Sequence, residues 1–220
     1  MKKKILLYVS LILSIASFAQ RIQFGIGAGV SSYSIQGAAA GNLNQVLNFS
    51  NGIVTTKAVN GFYTGGYANI PLINNISLEP GLYYSTKGYA LSGKYTFKDI
   101  NILKVNANAA LKLSYVEIPL LLKAQFSGLQ VFAGPQIAYL TRANIKTSAG
   151  LAGFNLLHSN IDATSQFNRW DVAMVGGVSY QFTNRVRLTA AYERGLTKVD
   201  AGQNIKSYNQ GFKIGAGISF

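Results

Sequence analysis

The sequence has no cysteine, one histidine (His158), four prolines and seven acidic residues among 220. Without cysteine there can be no disulfide scaffold, zinc ribbon, thiol nucleophile or lipoprotein signal. A lone histidine with no neighbouring pair of carboxylates makes neither a metal centre nor a serine–histidine triad, so no enzyme activity and no cofactor are expected. Charged residues are only 12% of the chain, about half the share usual in a soluble globular domain. Beyond the N-terminus there is no long apolar run either. Leu111 to Phe126 is interrupted by Glu117, Pro119 and Lys123, and Leu129 to Leu140 by Gly134, Pro135 and Gln136. Neither stretch can form a membrane-spanning helix.

The N-terminal segment has the composition of an export signal. Lys2, Lys3 and Lys4 precede an apolar stretch from Ile5 to Phe18, and Ser17-Phe18-Ala19 supplies small residues at the −3 and −1 positions of a cleavage site. Residues 1–19 are therefore expected to be a signal peptide cleaved after Ala19, with residues 20–220 forming one barrel domain. Loss of the three lysines takes the formal charge from +13 to +10.

Past this point the regular segments repeat every two residues. Ile22, Phe24, Ile26, Ala28 and Val30 alternate with Gln23, Gly25, Gly27, Gly29 and Ser31, and Phe212 to Phe220 repeats the pattern. Successive strand side chains point to opposite faces, so each such segment has one apolar and one small or polar face. Six more strands are expected near 61–70, 76–87, 112–126, 130–142, 169–182 and 185–195. Short turns separate some of them, and long polar loops are expected near 32–60, 88–111, 143–168 and 196–209. Eight strands with alternating short and long connections predict an all-β, eight-stranded antiparallel up-and-down transmembrane barrel with short periplasmic turns and long extracellular loops.

The acidic residues decide which face is inside. Glu79, Glu117, Asp171 and Glu193 fall within strands, on the glycine-rich or polar parity, and Lys123, Arg187 and Lys213 share that parity. An eight-stranded barrel is only wide enough inside for side chains, so these seven residues are expected to form one interior network. That network would be a plug of paired charges or, alternatively, a path for protons or ions. The opposite parity carries Phe24, Tyr84, Tyr139, Trp170, Tyr180, Phe182, Tyr192 and Phe212, expected as lipid-facing aromatics near the membrane interfaces. A secreted lipid carrier would have the two faces reversed, and a narrow channel would need an open lumen. Lysines and arginines in or beside the long loops, among them Arg142, Lys146 and Lys198, suit glycolipid phosphates or simply keep the loops soluble. No nucleic-acid-binding motif accompanies them.

Two stretches, Leu78-Glu79-Pro80-Gly81-Leu82-Tyr83-Tyr84-Ser85-Thr86-Lys87-Gly88 and Tyr115-Val116-Glu117-Ile118-Pro119-Leu120-Leu121-Leu122-Lys123, resemble the PorT-like outer-membrane β-barrel family of Gram-negative bacteria. Gly134-Pro135, Asp171 with Gly176-Gly177, Tyr192-Glu193-Arg194-Gly195-Leu196 and the terminal Phe220 extend the likeness along nearly the whole mature chain. It implies a small outer-membrane barrel and, for one branch, a part in type IX protein secretion. Phe220 on the last strand is similar to the signal read by barrel-assembly machinery. The chain is thus expected to be a non-enzymatic accessory for surface assembly, secretion or binding through its loops.

Overall fold

The structure, a computed structural model, describes residues 22–37, 54–96, 104–151, 154–182, 185–199 and 207–220. The expected signal peptide lies outside them. Nine strands follow one another: β1 (Gln23–Gly37), β2 (Val54–Ile73), β3 (Ile76–Thr96), β4 (Lys104–Phe126), β5 (Leu129–Leu151), β6 (Phe154–Asp162), β7 (Trp170–Gln181), β8 (Val186–Gly195) and β9 (Ser207–Ser219). All the pairings are antiparallel and join sequence neighbours, except that β7 skips β6 to pair with β5 and that β1 pairs with β9 to close the sheet.

Nine strands make eight staves. β7 pairs with β5 from Leu129 to Tyr139, and β6 pairs with the same strand from Asn144 to Leu151. One stave is therefore shared by two strands, with a 3-10 turn, Thr164–Gln166, between them. His158, expected in a loop, falls on β6.

The strands outrun their expected ends. β4 and β5 are each 23 residues long, whereas a tilted strand crosses a bilayer in about 9–11. Much of the sequence expected as loop at 32–60, 88–111, 143–168 and 196–209 is strand instead. In the outer halves the alternation inverts, because the inward parity, with Tyr89 on β3 and Leu111 and Leu113 on β4, packs into an apolar cluster while the outward parity turns small or polar.

Within the band the parity holds. Phe24, Tyr84, Tyr139, Trp170, Tyr180, Phe182, Tyr192 and Phe212 all project from the outer surface. Tyr139 packs edge-on against Trp170 at 5.0 Å, and Tyr180 against Phe182 at 4.9 Å. Trp170 and Tyr180 lie ten residues apart on β7, one bilayer crossing on that strand. The apolar parity faces out, opposite to what a lipid-carrying barrel requires.

β2 keeps no single parity, for two reasons. A bulge between Ala58 and Tyr63 inserts one extra residue opposite β3. Thr86 closes it, its hydroxyl accepting from the Phe62 amide at 3.0 Å, and a Cβ on Gly61 would lie 1.9 Å from the Thr86 carbonyl oxygen. The inner face of β2 also carries rings that fill the space above glycines. A Cβ on Gly215 would lie 2.3 Å from the Tyr63 hydroxyl, and one on Gly25 would meet the Tyr67 ring at the same distance. The thin inner face of β1 and β9 is thus the seat of tyrosines from β2.

Candidate functional site

The inner parity of β4 samples the lumen from its periplasmic end outward: Gln125, Lys123, Leu121, Pro119, Glu117, Tyr115, Leu113 and Leu111. Other staves widen each residue into a layer. The order is polar, charged, apolar, charged and apolar.

The inner charged layer is a trio. Arg187 on β8 donates Nη1 to Glu79 Oε2 at 2.6 Å and Nη2 to Oε1 at 3.2 Å, and Lys123 also donates to Oε2. The guanidinium lies over the Tyr67 ring, 4.1 Å from its centre, a cation–π contact that holds its plane. One carboxylate faces two cations, which leaves a formal surplus of one positive charge.

Leu121, Phe132 and Val175 form a buried apolar layer beyond the trio. A cavity of about 70 Å³ lies here, bordered on one side by Glu79 and Arg187 and on the other by Glu117 and Lys213. The Gln136 amide nitrogen, also on its wall, has no hydrogen-bond partner.

The outer charged layer has five members. Lys87 contacts Glu117 at 3.0 Å and Asp171 at 3.6 Å and donates to Glu193. Lys213 donates to Glu117 at 2.6 Å and approaches Glu193 to 2.9 Å. Neutral donors complete the set: Ser85 to Glu117, Tyr33 to Glu193, and Thr197 and Asn209 to Asp171. The Lys87 ammonium is 5.0 Å from the Tyr33 ring centre and 4.9 Å from that of Tyr115. Three carboxylates face two ammonium groups, a formal surplus of one negative charge. The side chains of Lys87 and Glu193 are both 0% exposed, so bonding within the layer must offset the large cost of drying these charges.

An apolar cap covers the layer. Leu111, Leu113, Tyr115, Ala138, Leu140, Ala143 and Val199 form one buried cluster. Val199 comes from the segment after β8, which is tied down where Thr197 Oγ1 accepts from the Val172 amide and Asn168 N donates to Val199 O.

The seven expected interior residues therefore all point inward, but they form two networks. Glu79, Lys123 and Arg187 make one, and Glu117, Asp171, Glu193 and Lys213 belong to the other. Leu121, Phe132 and Val175 come between. The interior is not uniformly polar either, because the inner parity becomes apolar towards the outer end. Sequence reasoning missed Lys87, the hub of the outer layer. Its signal was present, since Lys87 shares parity with Glu79, Gly81, Tyr83 and Ser85, but it stood at the expected strand end. Tyr33, Thr197 and Asn209 lay in expected loops and gave no such signal. Phe220 projects outward, 74% exposed, with its amide donating to Phe24 O across the closing seam.

A closed sheet with an apolar outside and ionised groups inside is a transmembrane β-barrel. A family model of the outer membrane protein beta-barrel domain matches residues 18–201, and the chain belongs to that family. It is an outer-membrane barrel protein. No curated protein matches the sequence. Among solved structures the chain is similar to neisserial surface protein A (12% identity, TM-score 0.43, covering 90% of this chain and 97% of that one). It is also similar to Ail of Yersinia pestis, solved with the heparin analogue sucrose octasulfate (11% identity, TM-score 0.45, 90% and 99% covered). A third is OprG of Pseudomonas aeruginosa (11% identity, TM-score 0.36, 90% and 95% covered).

Proposed function

We propose that this protein is a non-enzymatic anchor for binding or assembly at the cell surface, whose barrel holds a β-sheet collar beyond the outer face of the membrane. The length of the staves carries this reading. β2, β3, β4 and β5 run for 20, 21, 23 and 23 residues, about twice what the bilayer requires. Sheet continued past the membrane holds surface loops at a fixed height and angle, which suits a docking platform. The stacked layers of the lumen favour this over a channel.

Resemblance to the PorT-like branch supports a role as a secretion or surface-assembly accessory. In this reading residues 1–19 direct export, Phe220 is read by the barrel-assembly machinery, and the exposed Arg142 and Lys146 on the collar face glycolipid phosphates. The test is site-specific photocrosslinking in intact cells from Lys146 on the collar and Asn74 in a periplasmic turn, with conductance measured in planar bilayers. Discrete adducts from Lys146 with conductance near zero are expected. Adducts only from Asn74, or a steady open conductance, would overturn the platform reading.

A further inference from the structure

The inner trio does not face a sealed core. It opens onto a polar cavity of about 230 Å³ at the periplasmic end, walled by Lys123, Arg187, Glu79, Gln125, Gln130 and Gln181 among others. That volume has room for several waters. Its wall carries the surplus positive charge of the trio. The surplus negative charge of the outer layer is held by its own lysines, beyond Leu121, Phe132 and Val175 and the small cavity that Glu117 and Lys213 share with Glu79 and Arg187.

Hydrogen bonding in the wall leaves several donors to spare and one acceptor, the buried Asn69 Oδ1, without a partner. Both Glu79 oxygens are engaged by Arg187 and Lys123. Gln130 donates to the side-chain carbonyls of Gln125 and Gln181, at 3.2 and 3.4 Å, and its own carbonyl accepts from Ser179. With its carbonyl end held, Gln181 turns its NH₂ end free. Only one of the three N–H bonds of Lys123 is directed to Glu79. Arg187, pinned through both Nη atoms, is left with a buried Nε that has no partner. A buried cation pair with donors to spare and a net charge of +1 lacks one negative charge.

The geometry points to this cavity as a binding site for a small oxyanion of the phosphate or sulfate class, entering from the periplasm. Such a ligand supplies several oxygens at once, so it can accept from Lys123 and the Gln181 amide together beside the Arg187 guanidinium, and it neutralises the trio. A halide accepts at a single centre and spans separated donors less well than a tetrahedral oxyanion. The site is independent of the collar and of whatever the collar binds.

The experiment is isothermal titration of the purified, detergent-solubilised full barrel with inorganic phosphate, at constant ionic strength set by chloride. Heat-dependent electrophoretic mobility checks that each variant is folded. The native protein should bind one phosphate per chain. Lys123→Gln, which keeps a donor to Glu79 but removes the surplus charge, should weaken binding about tenfold or more. Glu79→Gln should strengthen it, an opposite sign that a merely structural role would not produce. Lys146→Gln, the same charge change on the collar, should leave it unaltered. If Lys123→Gln does not fold, Gln181→Leu tests the same site without a charge change and should also weaken binding. No saturable heat, equal weakening by Lys146→Gln and Lys123→Gln, or chloride binding as tightly as phosphate would each overturn the assignment.

Discussion

The two charged layers of the lumen use the same residue types but differ in their surroundings. The outer layer lies beneath an apolar cap, each carboxylate is shared by several donors, and Lys87 touches all three. The inner trio borders a polar cavity, and one carboxylate holds both cations. The outer layer meets only the small cavity it shares with the trio, so its charges are held almost wholly by protein groups and removing any member strands another. Charge beside a wet cavity can be relieved by water or solute. The outer layer therefore behaves as a structural brace, and the inner one can afford an exchangeable partner.

The largest expected effect tests the brace. Lys87→Met leaves three buried carboxylates with only Lys213, and should cost about 3–5 kcal/mol in urea unfolding from lipid vesicles. An unchanged midpoint would mean that the outer layer is hydrated, and the contrast between the layers would collapse.

Next comes a control on the wall common to both layers. Met174 is 46% exposed on the outer face of β7, between Trp170 and Tyr180. Met174→Arg should cost about 2–4 kcal/mol in the same assay, as expected near the bilayer midplane. A neutral result would move the membrane band away from these residues.

A smaller loss is expected from the inner trio. Glu79→Gln keeps an acceptor for Arg187 and leaves the freed charge beside the cavity, so unfolding should shift by about 1–2 kcal/mol. A loss as large as that of Lys87→Met would show that the inner layer is equally dry.

The smallest effect lies on the collar. Asp162 accepts from the hydroxyl of Thr164 and from its amide, and these hydrogen bonds, the hydroxyl foremost, hold its carboxyl below the usual range. A depressed carboxylate contributes stability above its unfolded pKa and loses it as pH falls through the folded value. Amide exchange at Thr164 should therefore accelerate in acid, in step with protonation of Asp162, while amides of the outer charged layer stay protected. Uniform acceleration in both regions would deny the collar a separate local stability.

The wall was easier to read from sequence than what it encloses. Phe24, Trp170 and Phe212 announce their face because lipid on one side and a lumen on the other impose a strict period of two. Val54 to Ala58 forms an equally regular strand without such alternation, and in Asn144 to Leu151 Ile145, Thr147, Ala149 and Leu151 alternate with polar or small residues too weakly to mark a face. β6 was hidden for the same reason. The bulge between Ser114 and Tyr115, where Thr141 is the extra residue on β5, resets the inward parity from Leu140 to Ala143. No local sequence pattern marks it.

By itself, the sequence determined the class of fold, the sign of each face and, among the described residues, seven of the eight charges of the two charged layers, because pleat geometry and the cost of a charge in lipid act residue by residue. Only the tertiary structure decided which cation meets which carboxylate. Those pairings join residues as distant as Lys87 and Glu193 or Glu79 and Arg187, and they depend on the stagger between staves. Closure of the barrel sets that stagger, and no strand carries it alone. Closure also placed Leu121, Phe132 and Val175 across the lumen, dividing one expected network into a closed brace and an open trio.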